Sequence, residues 1–234
     1  MSAVRRRRRM AGFAVTAGVL AALFAAATAD AQSTCADLGG TLNPDTTCDI
    51  HATTADYTID LSFPTSYPDQ KAVTDYLVPL RDDFAEFAQS PPGHAWPYSL
   101  QAMPVTYRSG DATTGTTSVV LKLSEDANPH PVAWYKAFNY DLGTQAPLTL
   151  AALFKPGIKP LDVVLPTVRR ELEKRWQPEA LESMLGSAED ATFENFALTD
   201  DAVIFFIGQG QLLGHPEGPL EVSVPRTELA SSLA

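Results

Sequence analysis

Three runs between residues 98 and 141 constrain this chain more than any other feature. Tyr98 to Arg108, Thr116 to Glu125 and Val132 to Asp141 have strand composition, with short turns between them. Ser109-Gly110-Asp111 marks the first turn and Asn128-Pro129-His130-Pro131 the second. Strands joined this closely pair antiparallel, since a parallel return needs a crossover of a dozen or more residues. The runs therefore predict an antiparallel meander. Val119, Leu121 and Leu123 share one face of its second strand. The third strand is dense in aromatics: Trp134, Tyr135, Phe138 and Tyr140.

Around this meander the pattern changes period. Tyr57 to Phe63 alternates strictly and predicts a half-buried strand that Pro64 and Pro68 end. Asp69 to Gln89 then follows helical spacing, with Val73, Leu77, Leu80, Phe84 and Phe87 on one face. Asp82, Asp83 and Glu86 fall opposite and read as a solvated face. Pro79 lies inside, where a missing N–H and a ring clash kink a helix or split it. Leu148 to Phe154 predicts a helical turn. Leu161, Leu165, Val168, Leu172 and Trp176 predict a second main helix, with Pro166 inside it. Glu179 to Leu185 reads as a short helix ending at Gly186. Ala202 to Ile207 is a continuous apolar run, expected as a central strand. Leu220, Val222 and Val224 form the last strand, before a short C-terminal helix. Strands and helices segregate, which predicts an α+β fold: an antiparallel meander sheet packed with two main helices. The expected division is 32–145 and 146–234.

Arg5 to Arg9, the uncharged run Met10 to Ala29 and Ala29-Asp30-Ala31 have the order of a secretory leader. The expectation is a signal peptide over residues 1–31 and a mature chain from Gln32. The same run is long enough for an uncleaved anchor, although its alanine content makes a weak one. Beyond residue 31 the chain keeps 12 basic and 27 acidic residues, a net charge of −15. So negative a surface argues against nucleic acid and anionic membrane as partners. Acidity suits a cationic partner, and equally suits plain solubility. Cys35 and Cys48 are the only cysteines, and an even pair in an exported chain reads as a disulfide. It closes a turn-rich loop, and the chain-entropy argument gives such a staple roughly 3 kcal/mol.

Several stretches resemble a known family. Ser66-Tyr67-Pro68-Asp69-Gln70-Lys71, Val119-Val120-Leu121-Lys122, Tyr135-Lys136-Ala137-Phe138 and Val203-Ile204-Phe205-Phe206 are similar to the mycobacterial secreted immunogenic antigens of the MPT/MPB sixty-four type. Gly218-Pro219 to Val224-Pro225-Arg226 and the early cysteine pair match as well. The resemblance covers essentially residues 35–234. From Leu148 onward the chain also resembles the ectodomain of lysozyme-sensing anti-sigma factors. The resemblance implies export, a two-part α+β architecture with a β-grasp-like C-terminal part, and extracellular or cell-surface residence, possible wall association included. It implies recognition by host immunity, and offers no catalytic residues. Where the family has Asp-Gly before the penultimate strand, this chain has Asp201-Ala202. A positive φ there would cost Ala about 1 kcal/mol, or the turn would change type.

Chemical motifs are sparse. No G-x-S-x-G elbow is present; Gly186-Ser187-Ala188 lacks the second glycine and follows no strand. His94, His130 and His215 are the loop histidines that could serve as bases. His51, His94, His130 and His215 are all isolated in sequence, so no metal set emerges. No phosphate loop or dinucleotide motif appears, and no cofactor is expected. Trp96 and Tyr98 flank a proline-rich loop, where flat rings can stack on sugars. Trp134 and Trp176 fit core-facing positions instead. The leading expectation is a secreted, non-catalytic protein that binds a protein or glycan partner, with basic lysozyme a candidate. The alternatives are a secreted hydrolase of esters or envelope carbohydrate, and a structural envelope protein.

Overall fold

The alternating runs do become strands, and the computed structural model arranges them in two sheets. It describes residues 34–90, 97–127, 131–186, 188–212 and 218–234. The expected leader, residues 1–31, lies outside the described residues. Strands β1 (Thr41–Leu42), β2 (Thr47–Thr53), β3 (Tyr57–Pro64), β4 (Tyr98–Ser109), β5 (Thr116–Asp126), β6 (Val132–Asp141) and β7 (Ala146–Pro147) lie side by side in chain order. The expected meander is β4-β5-β6, paired antiparallel. β3 and β4 are parallel, and helix α1 (Gln70–Ala88) lies in the connection between them. Pro104 falls two residues past Ala102, the last β4 residue that β3 pairs, so its missing N–H costs no bond on that side.

The remaining elements form the second part. These are α2 (Leu150–Leu153), α3 (Pro160–Leu172), α4 (Pro178–Leu185), a 3-10 turn (Asp190–Phe193), β8 (Phe196–Leu198), β9 (Ala202–Ile207), β10 (Leu220–Pro225) and α5 (Arg226–Leu229). β9 is the centre of a three-stranded antiparallel sheet, as its unbroken apolar run requires. The fold is α+β.

Four layers result. Val73, Leu77 and Phe84 of α1 pack on one face of the large sheet, against Ile59, Leu61, Leu100, Val119, Leu121 and Leu123. The small sheet packs on the opposite face, where Val120 and Tyr135 meet Ala197 and Phe206. Val164, Val168 and Leu172 of α3 and Leu181 and Leu185 of α4 cover the far side of the small sheet. β5 is consequently enclosed on both faces, and Thr117 to Leu121 are buried without a break.

A polar seam ties the two sheets. Ser118 Oγ donates to Asn139 Oδ1 at 2.6 Å, and Asn139 Nδ2 donates to the Phe196 carbonyl at 2.9 Å. Ser118 and Asn139 are both buried. At the near end Arg226 Nη1 donates to Ser109 Oγ at 2.7 Å, and Asp200 Oδ1 accepts from Gly110 N at 2.7 Å.

Neither internal proline splits its helix. Pro79 and Pro166 sit on exposed faces of α1 and α3, where water can hydrate the carbonyl each deprives of a partner. Ala202 does not adopt positive φ. The Asp200-Asp201 turn is closed instead by Thr199, whose Oγ1 accepts from Ala202 N at 3.0 Å. The disulfide joins Cys35 to Cys48, and Gly40 lies directly on it.

Two substitutions test these joints. Asn139→Ala strands the Ser118 hydroxyl and the Phe196 carbonyl, and a urea melt should register a loss of about 2 kcal/mol. A Cβ on Gly40 would come 2.6 Å from Cys48 Sγ and 2.9 Å from Cys35 Sγ. Gly40→Ala should therefore lower stability by about 1–3 kcal/mol, with a smaller penalty once the disulfide is reduced.

Candidate functional site

A concavity opens along the outer edge of β6, which β7 pairs only at Tyr140 and Asp141. It measures about 450 Å³. β6 supplies Lys136, Phe138 and Asn139, the start of α1 supplies Tyr67, Asp69 and Ala72, and the α2 segment supplies Leu148 to Ala151. Asp190 and Glu194 close the remaining side from the 3-10 turn and its end. Each wall has a local cause. Asp69 caps α1, its Oδ1 accepting from Ala72 N at 3.1 Å. Thr149 caps α2 in the same way, accepting from Ala152 N at 3.2 Å. Asp190 Oδ1 accepts from Leu161 N at 3.1 Å, pinning the turn to the first residues of α3.

The cleft lining mixes apolar and charged side chains. Tyr67 is buried, and its ring meets Tyr140 edge-on at 6.3 Å. Burial, with the neighbouring Asp69 carboxylate and Tyr140, pushes the Tyr67 hydroxyl well above the usual phenol range, so it stays a neutral donor. The Lys136 ammonium lies 5.6 Å from the Phe138 ring centre and 5.7 Å from that of Tyr76. Asp69 and Asp190 each commit one carboxylate oxygen to a backbone N–H. Among the described residues the lining carries carboxylates, an ammonium and a phenol, and no histidine.

A second, shallower cavity of about 400 Å³ lies between the end of α1 and β5, lined by Leu80, Asp83, Phe84, Phe87 and Glu125. Phe87, half exposed, stacks on Tyr98 at 5.7 Å and 16°. Tyr98 is thus partly spent on its own chain. Trp96, its expected companion, lies outside the described residues, as do His94, His130, His215 and Ser187. Trp134 and Trp176 are half-buried against the two main cores, and Trp134 Nε1 donates to the Tyr76 hydroxyl at 2.9 Å. Asp82, Asp83 and Glu86 are exposed.

His51, isolated in the sequence, stands on β2 opposite Asp60 of β3. Its Nδ1 is 2.5 Å from Asp60 Oδ1 and its Nε2 is 3.1 Å from Thr53 Oγ1. Sequence reasoning missed this group because β2 itself was unrecognised; the alternation of Cys48, Ile50 and Ala52 was the available signal. Among the described residues no three His, Cys, Asp or Glu side chains converge as a metal cage. No described helix is long and apolar enough to cross a membrane.

Burial raises the Glu125 carboxyl above its ordinary range. Its neutral form is therefore favoured in the fold, and that contribution fades as pH rises through the folded value. Glu125→Gln should stabilise the protein at pH 7, by less than about 1 kcal/mol at this partly exposed site, and the gain should vanish at about pH 3. Thermal melts at the two pH values check it.

Comparison with known proteins sets this geometry in a family. Residues 151–227 match the family described as a protein of unknown function, DUF3298. The chain is 42% identical over 202 residues to the esterase Rv3036c of Mycobacterium tuberculosis, covering 86% of this chain and 89% of that protein. It is 37% identical over 221 residues to the immunogenic protein MPB64 of Mycobacterium bovis, covering 94% and 96% respectively. A solved DUF3298 protein from Pseudomonas aeruginosa shares the fold at TM-score 0.55 and 15% identity, over 82% of this chain and 96% of its own. Another from Bacteroides fragilis does so at TM-score 0.53 and 18% identity, over 83% and 94%.

Proposed function

This chain belongs to the family of the mycobacterial immunogenic proteins MPB64 and MPT64 and the esterase Rv3036c, and from that premise we propose that it is an exported protein that binds a glycan fragment in the cleft beside β6. The disulfide and the leader pattern support export, because a structural disulfide persists in oxidising compartments. The observation that carries the binding reading is the lining of the cleft. Tyr67 and Phe138 line it together with the carboxylates Asp69, Asp190 and Glu194. Sugar rings offer apolar C–H faces for the former and hydroxyl donors for the latter. The volume falls within the range of roughly 300–1,000 Å³ common for small-molecule sites.

A second reading, ester hydrolysis, is favoured by one relative and one geometry. The relative is Rv3036c, named as an esterase. The geometry is the hydroxyl–imidazole–carboxylate chain of Thr53, His51 and Asp60.

The binding reading is tested by titrating the protein with disaccharides of neutral and N-acetylated sugars while recording amide NMR shifts. The expected shifts gather at Lys136 to Asn139 and Thr149 to Ala151. Asp190→Asn and Glu194→Gln should each weaken binding about tenfold, the scale of one charged hydrogen bond. Shifts centred elsewhere, or none at millimolar sugar, reject the reading.

A further inference from the structure

Strand β10 ends the small sheet on one side, and its outer edge carries unused backbone groups. On β9, Phe206 N donates to the Asn195 carbonyl and the Ala202 carbonyl accepts from Thr199 N, both on the β8 side. Peptide groups alternate sides along a strand, so Val203, Phe205 and Ile207 turn theirs toward β10. Val224, Val222 and Leu220 are their register partners and answer them. Glu221 and Ser223 therefore direct N–H and C=O away from the sheet, and among the described residues no strand takes them. Such an edge is a template for one more strand.

The space beside that edge has a floor and a roof. β8 lies at the edge of β6, where Asn139 reaches the Phe196 carbonyl. β9 crosses Tyr107 and Tyr135, whose ring centres lie 5.7 and 5.2 Å from that of Phe206. β10 is the next step in the same direction, so its free edge overlooks the part of the large sheet that the small one leaves bare. Val105 and Met103 of β4 share that face with Tyr107, and Lys122 of β5 pairs with Met103. Met103 is 65% exposed and Val105 47%. On the roof side Glu171, Lys174 and Arg175, at and just past the end of α3, line a cavity of about 140 Å³ with Glu221 and Ser223. Glu171 is paired with Lys174, and Glu221 accepts from the Tyr135 hydroxyl at 3.0 Å. Arg175 and Lys122 are exposed, and among the described residues neither has a carboxylate partner.

We propose that β10 receives an extended acidic–apolar segment of another protein as a fourth strand of the small sheet. The backbone of that segment pairs with Glu221 and Ser223, and its side chains alternate between floor and roof. Apolar ones cover Val105 and Met103. Carboxylates on the other face meet Arg175, with Lys122 a second cation at the margin of the floor. The occupant is a lone strand rather than a second copy of this chain. A copy pairing through its own β10 would bring its large sheet beneath that strand, where Val105, Met103 and Lys122 already stand. This surface shares no lining residue with the cleft beside β6.

The test is fluorescence anisotropy of a dye-labelled peptide that alternates valine with glutamate, titrated with the purified protein. Three further peptides accompany it: one with lysine for glutamate, one N-methylated at the valines and one N-methylated at the glutamates. The glutamate peptide should bind about tenfold or more tightly than the lysine peptide, although the overall negative charge of the chain favours the latter. Only one of the two N-methylated peptides should bind, because a paired strand turns alternate N–H groups toward its neighbour. Amide NMR should place shifts at Glu221 and Ser223. Ser223→Pro removes an outward N–H while leaving the bonds to β9, a change edge strands tolerate. It and Arg175→Glu should each weaken binding about tenfold, with circular dichroism melts establishing that both variants are folded. Equal or tighter binding of the lysine peptide, or equal binding of the two N-methylated ones, overturns the proposal. So does an absence of binding at millimolar peptide, or a dimer in sedimentation that Ser223→Pro dissolves.

Discussion

The seam between the two sheets is the constraint on which the other layers depend. A sheet packed on both faces must bury every polar side chain it carries there, and each must find a partner. β5 meets this with Ser118, and β6 with Asn139, which reaches the Phe196 carbonyl across the layer boundary. The same asparagine's carbonyl accepts from Leu148 N at 2.8 Å. One residue therefore fixes the small sheet against the large one and also places the segment that leads into α2. The cleft exists because this junction holds β6 and α2 apart at a fixed spacing.

The edge of β6 shows how the fold limits unwanted pairing. Side-chain amides replace a neighbouring strand there: Asn195 Oδ1 accepts from Ala137 N at 2.9 Å, and Gln209 Oε1 accepts from Ala133 N at 3.0 Å. Gln209 N completes the latter contact by donating to the Ala133 carbonyl at 2.9 Å. An edge closed by side chains presents no continuous ladder to another chain, yet leaves room for a cavity. Position of the cleft and protection of the sheet are the same arrangement.

The meander, both long helices, the central strand β9 and the last strand were legible because each carries an apolar period longer than one turn or one hairpin. Strands β1, β7 and β8 were not: two or three residues contain no period, and tertiary pairing alone makes them strands. β2 fell between these cases. Its inward positions Cys48, Ile50 and Ala52 alternate, but the run is short and weakly apolar, and no element is predicted there. That gap hid the relation of His51 to Asp60, which exists only across the hairpin. The cleft was illegible for a related reason, since its lining comes from five separate stretches of chain. The fates of Pro79 and Pro166 depended on which face of each helix meets solvent, which their local sequence left undecided.

The chain's last residues are worked into this architecture. Phe154 pairs with Leu233, Ala234 N donates to the Leu153 carbonyl at 3.0 Å, and Lys155 Nζ donates to the Ser231 carbonyl at 2.9 Å. The tail thus buttresses the end of α2 and the residues just beyond it, next to the Leu148–Ala151 stretch that forms a wall of the cleft. An affinity tag or fusion partner joined after Ala234 would pull directly on that wall, whereas one placed ahead of Cys35 would hang from the disulfide loop on another part of the molecule. Immobilisation through the amino-terminal side is accordingly the geometry that leaves the cleft in its native shape.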